Sequence, residues 1–194
     1  MKFAIAFPNL FDGEELKAFA VRTEELGYES IWAGDHIVLP AGGTTEYPYT
    51  EDGTFQRPSE LPFMEPLTLL SFIGSVTSRI RIGTTVIIVP YRHPVVQAKM
   101  LACMDVLTGG RMIFGVGVGW LRKEFETLDA PFADRGPMTD EYIEMCQCLW
   151  RDKLPAFEGK FHRFDGITFE PKPIQQPIPI WVRSEEHTSE LQSP

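Results

Sequence analysis

The sequence predicts an α/β protein in which helices cover a parallel sheet. Apolar runs alternate along the chain with segments of helical periodicity, and Gly or Pro residues often separate them. The apolar runs show little polar alternation, which is typical of strands buried on both faces. The predicted strands span residues 2–7, 30–34, 80–89, 111–116 and 178–182. An open doubly wound sheet and a closed (β/α)8 barrel both fit this order, and spacing alone does not separate them.

Four helices are predicted between these strands. Asp12 is the expected N-cap of the first helix, and Gly27 follows its last turn at the position where glycine commonly ends a helix. The second helix spans 66–76, the third begins at Pro94, and the fourth spans 138–151. Apolar residues at helical spacing predict the buried face of the third helix, namely Val96, Met100, Cys103 and Leu107.

Two further segments connect the predicted helices and strands. Residues 37–62 are rich in Pro, Gly, Thr and Tyr, which predicts a long loop, and loops of this length usually have a functional role. Residues 157–171 predict a hairpin that turns at Asp165-Gly166.

Composition and charge exclude several classes of partner. The formal net charge is −9 and the sequence pI is about 5.0, which argues against nucleic acid or an anionic membrane surface. No run approaches the roughly 18 apolar residues that a membrane span needs. Cys146 and Cys148 lie two apart in a predicted helix and therefore on different faces, so we expect reduced thiols in a cytoplasmic protein and no metal site.

Three short segments at predicted strand ends could carry chemistry. Gly34-Asp35-His36 places a carboxylate beside an imidazole, a pairing suited to cofactor contact and proton transfer, although His36 could equally satisfy a loop carbonyl. Gly83-Thr84-Thr85-Val86 has small side chains that allow a planar ring to approach the backbone. It leads to Arg92-His93-Pro94, which contacts substrate or, the favoured interpretation, caps the next helix.

The third segment is the glycine run Gly115-Val116-Gly117-Val118-Gly119-Trp120. It is not a dinucleotide fingerprint, because Trp120 stands where that motif requires glycine and the run follows the fourth strand instead of the first. Glycines at this position indicate close backbone approach by either a cofactor or a neighbouring strand.

Taken together and in order, these motifs resemble the bacterial luciferase-like monooxygenase superfamily. Leu107-Thr108-Gly109-Gly110-Arg111 and Tyr91-Arg92-His93-Pro94 belong to the same pattern, and the resemblance covers nearly all of residues 1–182. Within the superfamily the chain is most similar to the branch of coenzyme F420-dependent oxidoreductases.

The resemblance implies a (β/α)8 barrel with its cofactor at the carboxyl ends of the strands, and homodimers among intact relatives. It implies a cis peptide bond between Thr85 and Val86, in a bulge that meets the central cofactor ring. The implied cofactor-binding residues are Asp35, Thr84, Thr85, Val86, Val118, Gly119 and Trp120. The implied catalytic residues are His36 and Asp35, whereas Glu124 faces either the site or solvent.

The chain departs from the family pattern after Val182. Residues 183–193 have no apolar period and resemble the in-frame translation of a sequencing adapter, although a genuine polar tail is the alternative. We therefore expect residues 1–182 to form an incomplete barrel with about five strands, and residues 183–194 to be a non-native tail. The family's phosphate-binding loop would then be absent, and the 194-residue chain inactive.

The leading functional hypothesis is hydride transfer between reduced coenzyme F420 and a small organic substrate, with His36 as proton donor or acceptor. The alternative is an FMN-dependent monooxygenase that uses oxygen. A third hypothesis is a non-catalytic barrel fragment, in which Asp35 and His36 pack against the 37–62 loop instead of facing a pocket.

Overall fold

Parallel strands in sequential order form the sheet, as the sequence predicts. The computed structural model describes residues 2–7, 12–44, 47–55 and 62–183. The sheet contains β1 (Ala4–Ala6), β2 (Ser30–Ala33), β3 (Arg81–Thr84), β4 (Ile87–Ile88), β5 (Met112–Gly117) and β8 (Ile180–Val182). Each neighbouring pair runs in parallel: β1 with β2, β2 with β3, β3 and β4 with β5, and β5 with β8. Within the described residues the sheet does not close, since β1 pairs only with β2, and β8 only with β5.

The predicted third strand consists of two strands. β3 pairs with the first half of β5 through Ile82–Met112, and β4 pairs with its second half through Ile88–Gly117. Thr85 and Val86 lie between them, and the peptide bond that joins these two residues is cis, as the family resemblance implies.

Helices cover the sheet, and their bounds follow the sequence closely. They are α1 (Gly13–Glu25), α2 (Pro66–Val76), α3 (Pro94–Leu107), α4 (Arg122–Thr127) and α5 (Arg135–Arg151). Asp12 caps α1 by accepting the backbone N–H groups of Glu14 and Glu15 at 2.9 and 3.1 Å, and Gly27 adopts a positive φ of 79° after it. The prediction missed α4 and placed the start of α5 three residues late.

The predicted buried face of α3 is correct only in part: Met100 and Cys103 are half-buried, and Met100 packs against the core. Val96 is 55% exposed and Leu107 is 82% exposed, and the buried positions are instead Gln97, Ala98, Leu101, Ala102, Met104 and Asp105. Both faces of this helix carry apolar residues, so periodicity gave two candidate faces. The packing of α3 against α5 selects the one with small residues: the Trp150 indole of α5 donates a 3.0 Å hydrogen bond to the carbonyl oxygen of Ala98.

The predicted hairpin exists, but its turn lies elsewhere. β6 (Phe157–Glu158) pairs antiparallel with β7 (Arg163–Phe164), and the chain turns at residues 159–162, not at Asp165-Gly166. The Glu141 carboxylate of α5 fixes this turn by accepting the backbone N–H groups of Lys160, Phe161 and His162. A long-range acceptor that is not visible in the local sequence therefore set the position of the turn.

Two negative expectations concern the described residues only. None of the helices in the described ranges is long and apolar enough to cross a membrane. Cys103, Cys146 and Cys148 are free thiols, and burial raises the pKa of Cys146 to about 12. Residues 184–194, which make up all but one residue of the proposed non-native tail, lie outside the described residues.

Candidate active site

Strand register brings the predicted site residues to one edge of the sheet. Ala33 of β2 pairs with Thr84 of β3, and Ile88 of β4 pairs with Gly117 of β5. Thr85 and Val118 follow these paired ends directly, and His36 comes three residues after Ala33, so they lie together at the carboxyl edge of the parallel strands, where α/β proteins place their active sites.

A buried carboxylate holds the His36 imidazole. Nδ1 of His36 lies 2.9 Å from Oε2 of Glu124, whose side chain is fully buried, and 13% of the His36 side chain remains exposed. The Glu124 carboxylate also accepts the backbone N–H groups of Ile37 and Val38 and the Tyr91 hydroxyl, the last at 2.9 Å. Burial and the neighbouring Glu124 raise the pKa of Tyr91, so its phenol stays protonated and donates. Glu124 therefore faces the site, one of the two orientations the sequence left open.

Asp35 lies beneath His36 in a second buried pair. Both carboxylate oxygens accept from the Arg92 guanidinium, at 2.7 and 2.9 Å, and one oxygen also accepts the Ile88 N–H at 2.9 Å. Arg92 donates in addition to Glu65 at 2.8 Å. Burial opposes ionisation of Arg92, yet the contacts with Asp35 and Glu65 outweigh it and raise the pKa of the guanidinium.

The favoured interpretation of Arg92-His93-Pro94 as a cap is correct in part, because the segment begins α3, but Arg92 takes no part in the cap. The cap residue of α3 is His93, and its side chain makes no capping hydrogen bond, whereas Arg92 points towards Asp35. Only the tertiary structure brings Arg92 and Asp35 together, because 57 residues separate them along the chain.

Thr84, Thr85 and Val86 differ in what they present at this edge. Thr84 is buried, and its hydroxyl donates to the Gly115 carbonyl oxygen at 2.7 Å. Thr85 is exposed and Val86 is half-buried, so these two residues offer surface to a ligand.

The sequence left two explanations for the glycine run, close approach by a cofactor or by a neighbouring strand. Contacts with a neighbouring strand explain the spacing of the glycines. A Cβ at Gly115 would meet the Thr84 carbonyl oxygen, and a Cβ at Gly117 would lie 2.5 Å from Cγ2 of Val86. Gly119 has a positive φ of 83°, and a Cβ there would lie 2.6 Å from Cγ2 of Ile88. The half-buried residues Val118 and Trp120 alternate with these glycines and present side chains at the carboxyl edge.

Three aromatic rings lie close to His36, and one of them belongs to the long loop. The ring centroid of His36 lies 5.3 Å from those of Phe55 and Phe63 and 6.1 Å from that of Trp120. His36 thus packs against the 37–62 loop, as the non-catalytic hypothesis expects, yet the residue stays partly exposed and is held by Glu124. Residues 45–46 and 56–61 of this loop lie outside the described residues.

Sequence reasoning missed Tyr91, Glu65 and the loop aromatics as site residues, and it did not predict that Arg92 pairs with Asp35. The sequence held one signal for Glu124: its spacing from Leu121, three residues earlier, puts both on one helical face. In the structure Leu121, Glu124 and Phe125 are all buried. Among the residues that the structure describes, no three His, Cys, Asp or Glu side chains are grouped to hold a metal ion.

Curated relatives match this chain over about half of their own length. An uncharacterized protein of Mycobacterium bovis is 35% identical over 163 residues, which is 84% of this chain and 56% of that protein. The F420-dependent glucose-6-phosphate dehydrogenase of Microbacterium testaceum is 30% identical over 177 residues, which is 89% of this chain and 47% of that enzyme. The chain therefore spans about half the length of the curated relatives it matches.

Solved structures share the fold. The monooxygenase RslO1 of Streptomyces bottropensis aligns with a TM-score of 0.74 at 27% identity, over 94% of this chain and 53% of that one. An F420-dependent secondary alcohol dehydrogenase, solved with an F420-acetone adduct, aligns with a TM-score of 0.71 at 21% identity, over 94% of this chain and 52% of that one. A type II Baeyer-Villiger monooxygenase of Pseudomonas putida, solved with FMN, aligns with a TM-score of 0.68 at 16% identity, over 94% of this chain and 51% of that one.

The neighbours thus include both F420-dependent and FMN-containing proteins, and the alignments below 25% identity show the fold alone. A family model described as luciferase-like monooxygenase matches residues 1–189. This chain belongs to the luciferase-like monooxygenase family.

Proposed function

We propose that this sequence encodes the proton-transfer half of an oxidoreductase site that works beside coenzyme F420. The observation that carries the proposal is the buried Glu124 carboxylate bonded to Nδ1 of a partly exposed His36. A carboxylate on Nδ1 fixes the proton there and leaves Nε2 to exchange a proton with a ligand.

The chain's own residues would balance the proton in a hydride transfer. F420, when bound, supplies or accepts a hydride at a substrate carbon. In the direction of carbonyl reduction, Nε2–H of the His36 imidazolium gives its proton to the substrate oxygen. In the direction of alcohol oxidation, Nε2 takes that proton, and Glu124 stabilises the imidazolium that results.

Asp35, which the sequence assigns to both catalysis and cofactor binding, acts in this proposal as a positioning residue. Both of its oxygens are bonded to Arg92 and one also to the Ile88 N–H, so it fixes the start of the segment that carries His36. The same contacts fix β4, which follows Thr85 and Val86. Asp35 would thus set the distance between His36 and the surface that receives the cofactor.

The residues at the edge fit a planar ring system. Thr85, Val86, Val118 and Trp120 offer a small hydroxyl, two aliphatic side chains and one indole, all with exposed surface at the carboxyl edge. Gly119 contributes no side chain. The Thr84 hydroxyl is bonded to Gly115, so Thr84 would support Thr85 from behind and would not contact the ring through its own hydroxyl. The ring would lie against this surface with His36 beside it.

FMN fits the same surface, and its use with oxygen is the second candidate. Two neighbours favour it: RslO1 is a monooxygenase, and the Baeyer-Villiger monooxygenase binds FMN. The visible spectrum and mass of the cofactor that copurifies would separate the two candidates.

The test uses residues 1–182 joined to the part of the Mycobacterium bovis relative that follows its matched region, here called the completed chain. We expect His36→Ala to lower turnover by about 10²–10⁴-fold with little change in melting temperature. Asp35→Asn should lower both the turnover and the melting temperature. An unchanged turnover in His36→Ala, with a lowered melting temperature, would instead support the non-catalytic hypothesis.

A further inference from the structure

The described part of the 37–62 loop brings the rings of Tyr47 and Phe55 to Trp120 at the end of β5, and Phe55 also packs against His36. The Tyr47 N–H donates to the Gly53 carbonyl oxygen at 2.8 Å, and the Phe55 N–H donates to the Thr44 carbonyl oxygen at 3.3 Å. Thr50 and Asp52 close the tip between them through bonds to Thr54. This pairing brings Tyr47 and Phe55 side by side.

The two loop rings meet the indole of Trp120 at the end of β5. The ring centroid of Tyr47 lies 5.1 Å from that of Phe55 and 5.0 Å from that of Trp120, and the centroids of Phe55 and Trp120 lie 5.4 Å apart. We call these three residues the aromatic wall. All three residues are half-buried, and the ring centroids of Phe55 and Trp120 lie 5.3 and 6.1 Å from that of His36.

The groups behind the wall are more acidic than basic. Asp35, Glu65 and Glu124 contribute three carboxyl groups, and the guanidinium that the described residues place against them is Arg92. Arg92 is already bonded to both Asp35 and Glu65. An anionic substrate would therefore meet three carboxyl groups, while Arg92 is already bonded and the imidazole of His36 is the donor that this cluster leaves to a ligand; burial strengthens the repulsion from the carboxylates.

We propose that the aromatic wall of Tyr47, Phe55 and Trp120 makes this site selective for an uncharged, predominantly apolar carbonyl compound or alcohol, and against a phosphorylated sugar. The proposal rests on the proposed function and names its substrate class. Apolar surface of the substrate would pack on the three rings, while its oxygen would face Nε2 of His36. The chain would thus differ in substrate from its relative of Microbacterium testaceum, which is named for glucose 6-phosphate.

Binding of three probes to the completed chain tests this inference without turnover. Acetophenone, cyclohexanone and glucose 6-phosphate are titrated separately while tryptophan fluorescence and ligand-detected NMR are recorded. We expect both ketones to bind at least tenfold more tightly than glucose 6-phosphate. Equal or tighter binding of glucose 6-phosphate would overturn the inference.

Variants of the wall locate the binding. Phe55→Ala and Tyr47→Ala should each raise the Kd of acetophenone by about tenfold, because an aromatic contact is lost together with buried apolar area. Phe72→Ala is the matched control, since Phe72 is an exposed phenyl group of α2 outside the wall. Phe55→Leu replaces Phe55→Ala if the latter fails to fold, because leucine keeps apolar bulk. It should weaken the binding of acetophenone more than that of cyclohexanone. Equal Kd values in the Phe55, Tyr47 and Phe72 variants would overturn the inference.

Failure of the inference and failure of the proposed function give different results. If the wall variants leave ketone binding unchanged while His36→Ala still abolishes turnover, the substrate class is wrong and the proton-transfer role stands. If His36→Ala leaves turnover unchanged, the proposed function is wrong whatever the probes show.

Discussion

Removing the Glu124 carboxylate should destabilise the site more than neutralising it. The fully buried carboxylate accepts from the Ile37 and Val38 N–H groups, the Tyr91 hydroxyl and His36. Glu124→Ala leaves the two backbone donors and the phenol without a partner. Each orphaned buried group costs about 1–3 kcal/mol, and the loss of a partner from a buried ion pair costs about 3–5 kcal/mol in total. Because the surroundings relax around the smaller side chain, the expected loss in the free energy of unfolding is about 3–5 kcal/mol.

Glu124→Gln retains most of these contacts. The amide oxygen can still accept the backbone N–H groups of Ile37 and Val38, and the amide NH₂ can donate to the Tyr91 oxygen and to Nδ1 of His36. The expected loss is about 1–2 kcal/mol, because weaker neutral bonds are offset by a smaller cost of burying the group. The amide should also reverse the His36 tautomer, since Nδ1 would accept and Nε2 would carry the proton.

Urea denaturation of the completed chain, followed by tryptophan fluorescence, measures the loss of stability. ¹⁵N NMR of the imidazole reports the tautomer. Tyr91→Phe, which removes one donor, is the reference and should cost about 1 kcal/mol. Equal destabilisation by Glu124→Ala and Tyr91→Phe, or an unchanged tautomer in Glu124→Gln, would refute this account of Glu124.

Three further predictions concern stability. Burial raises the pKa of Glu24, but the backbone N–H groups of Ile80, Arg79 and Ser78 outweigh it and lower this pKa from 4.5 to about 2. This contribution is fully present above about pH 4.5 and is lost as the pH falls towards 2; after allowance for solvent screening it is about 1–2 kcal/mol. Glu24→Gln should remove that part of the pH dependence in denaturation curves recorded between pH 3 and 7, and an unchanged slope would contradict it. Gln97 is fully buried, and neither side-chain polar atom has a partner among the described residues, so Gln97→Leu should raise the urea midpoint by an amount equivalent to about 1 kcal/mol. A lowered midpoint would show that this amide is hydrogen-bonded in solution. Phe3, just before β1, is 58% exposed and Val182 of β8 is 68% exposed, and within the described residues each of these strands has a single neighbour, so the 194-residue chain should sediment mostly as aggregate, whereas the completed chain should be soluble. A monomeric, sharply melting 194-residue chain would contradict the last prediction.

The order and direction of the main elements could be predicted because they depend on local signals. Pro66 and Pro94 begin α2 and α3, Asp12 caps α1, and Gly27 follows its end, each through the chemistry of that residue alone. The burial of β5 on both faces follows from its run of apolar and glycine residues.

Choices between equivalent local alternatives could not be predicted. Both faces of α3 carry apolar residues, and the packing of α3 against α5, α2 and β5 decides that Ala98 and Leu101 are buried while Val96 is not. The turn at 159–162 depends on Glu141, and the role of Arg92 depends on Asp35, so both rest on partners distant in sequence.

The sequence by itself determined the parallel α/β order, the position of His36 at a strand end, and the resemblance that the family match confirms. It could do so because strand, helix and turn preferences act over a few residues. Only the tertiary structure decided that Glu124 holds His36, that Arg92 is bonded to Asp35, and that Tyr47 and Phe55 meet Trp120. Those contacts join residues far apart along the chain, and their partners are fixed by strand register and helix packing, which no local pattern encodes.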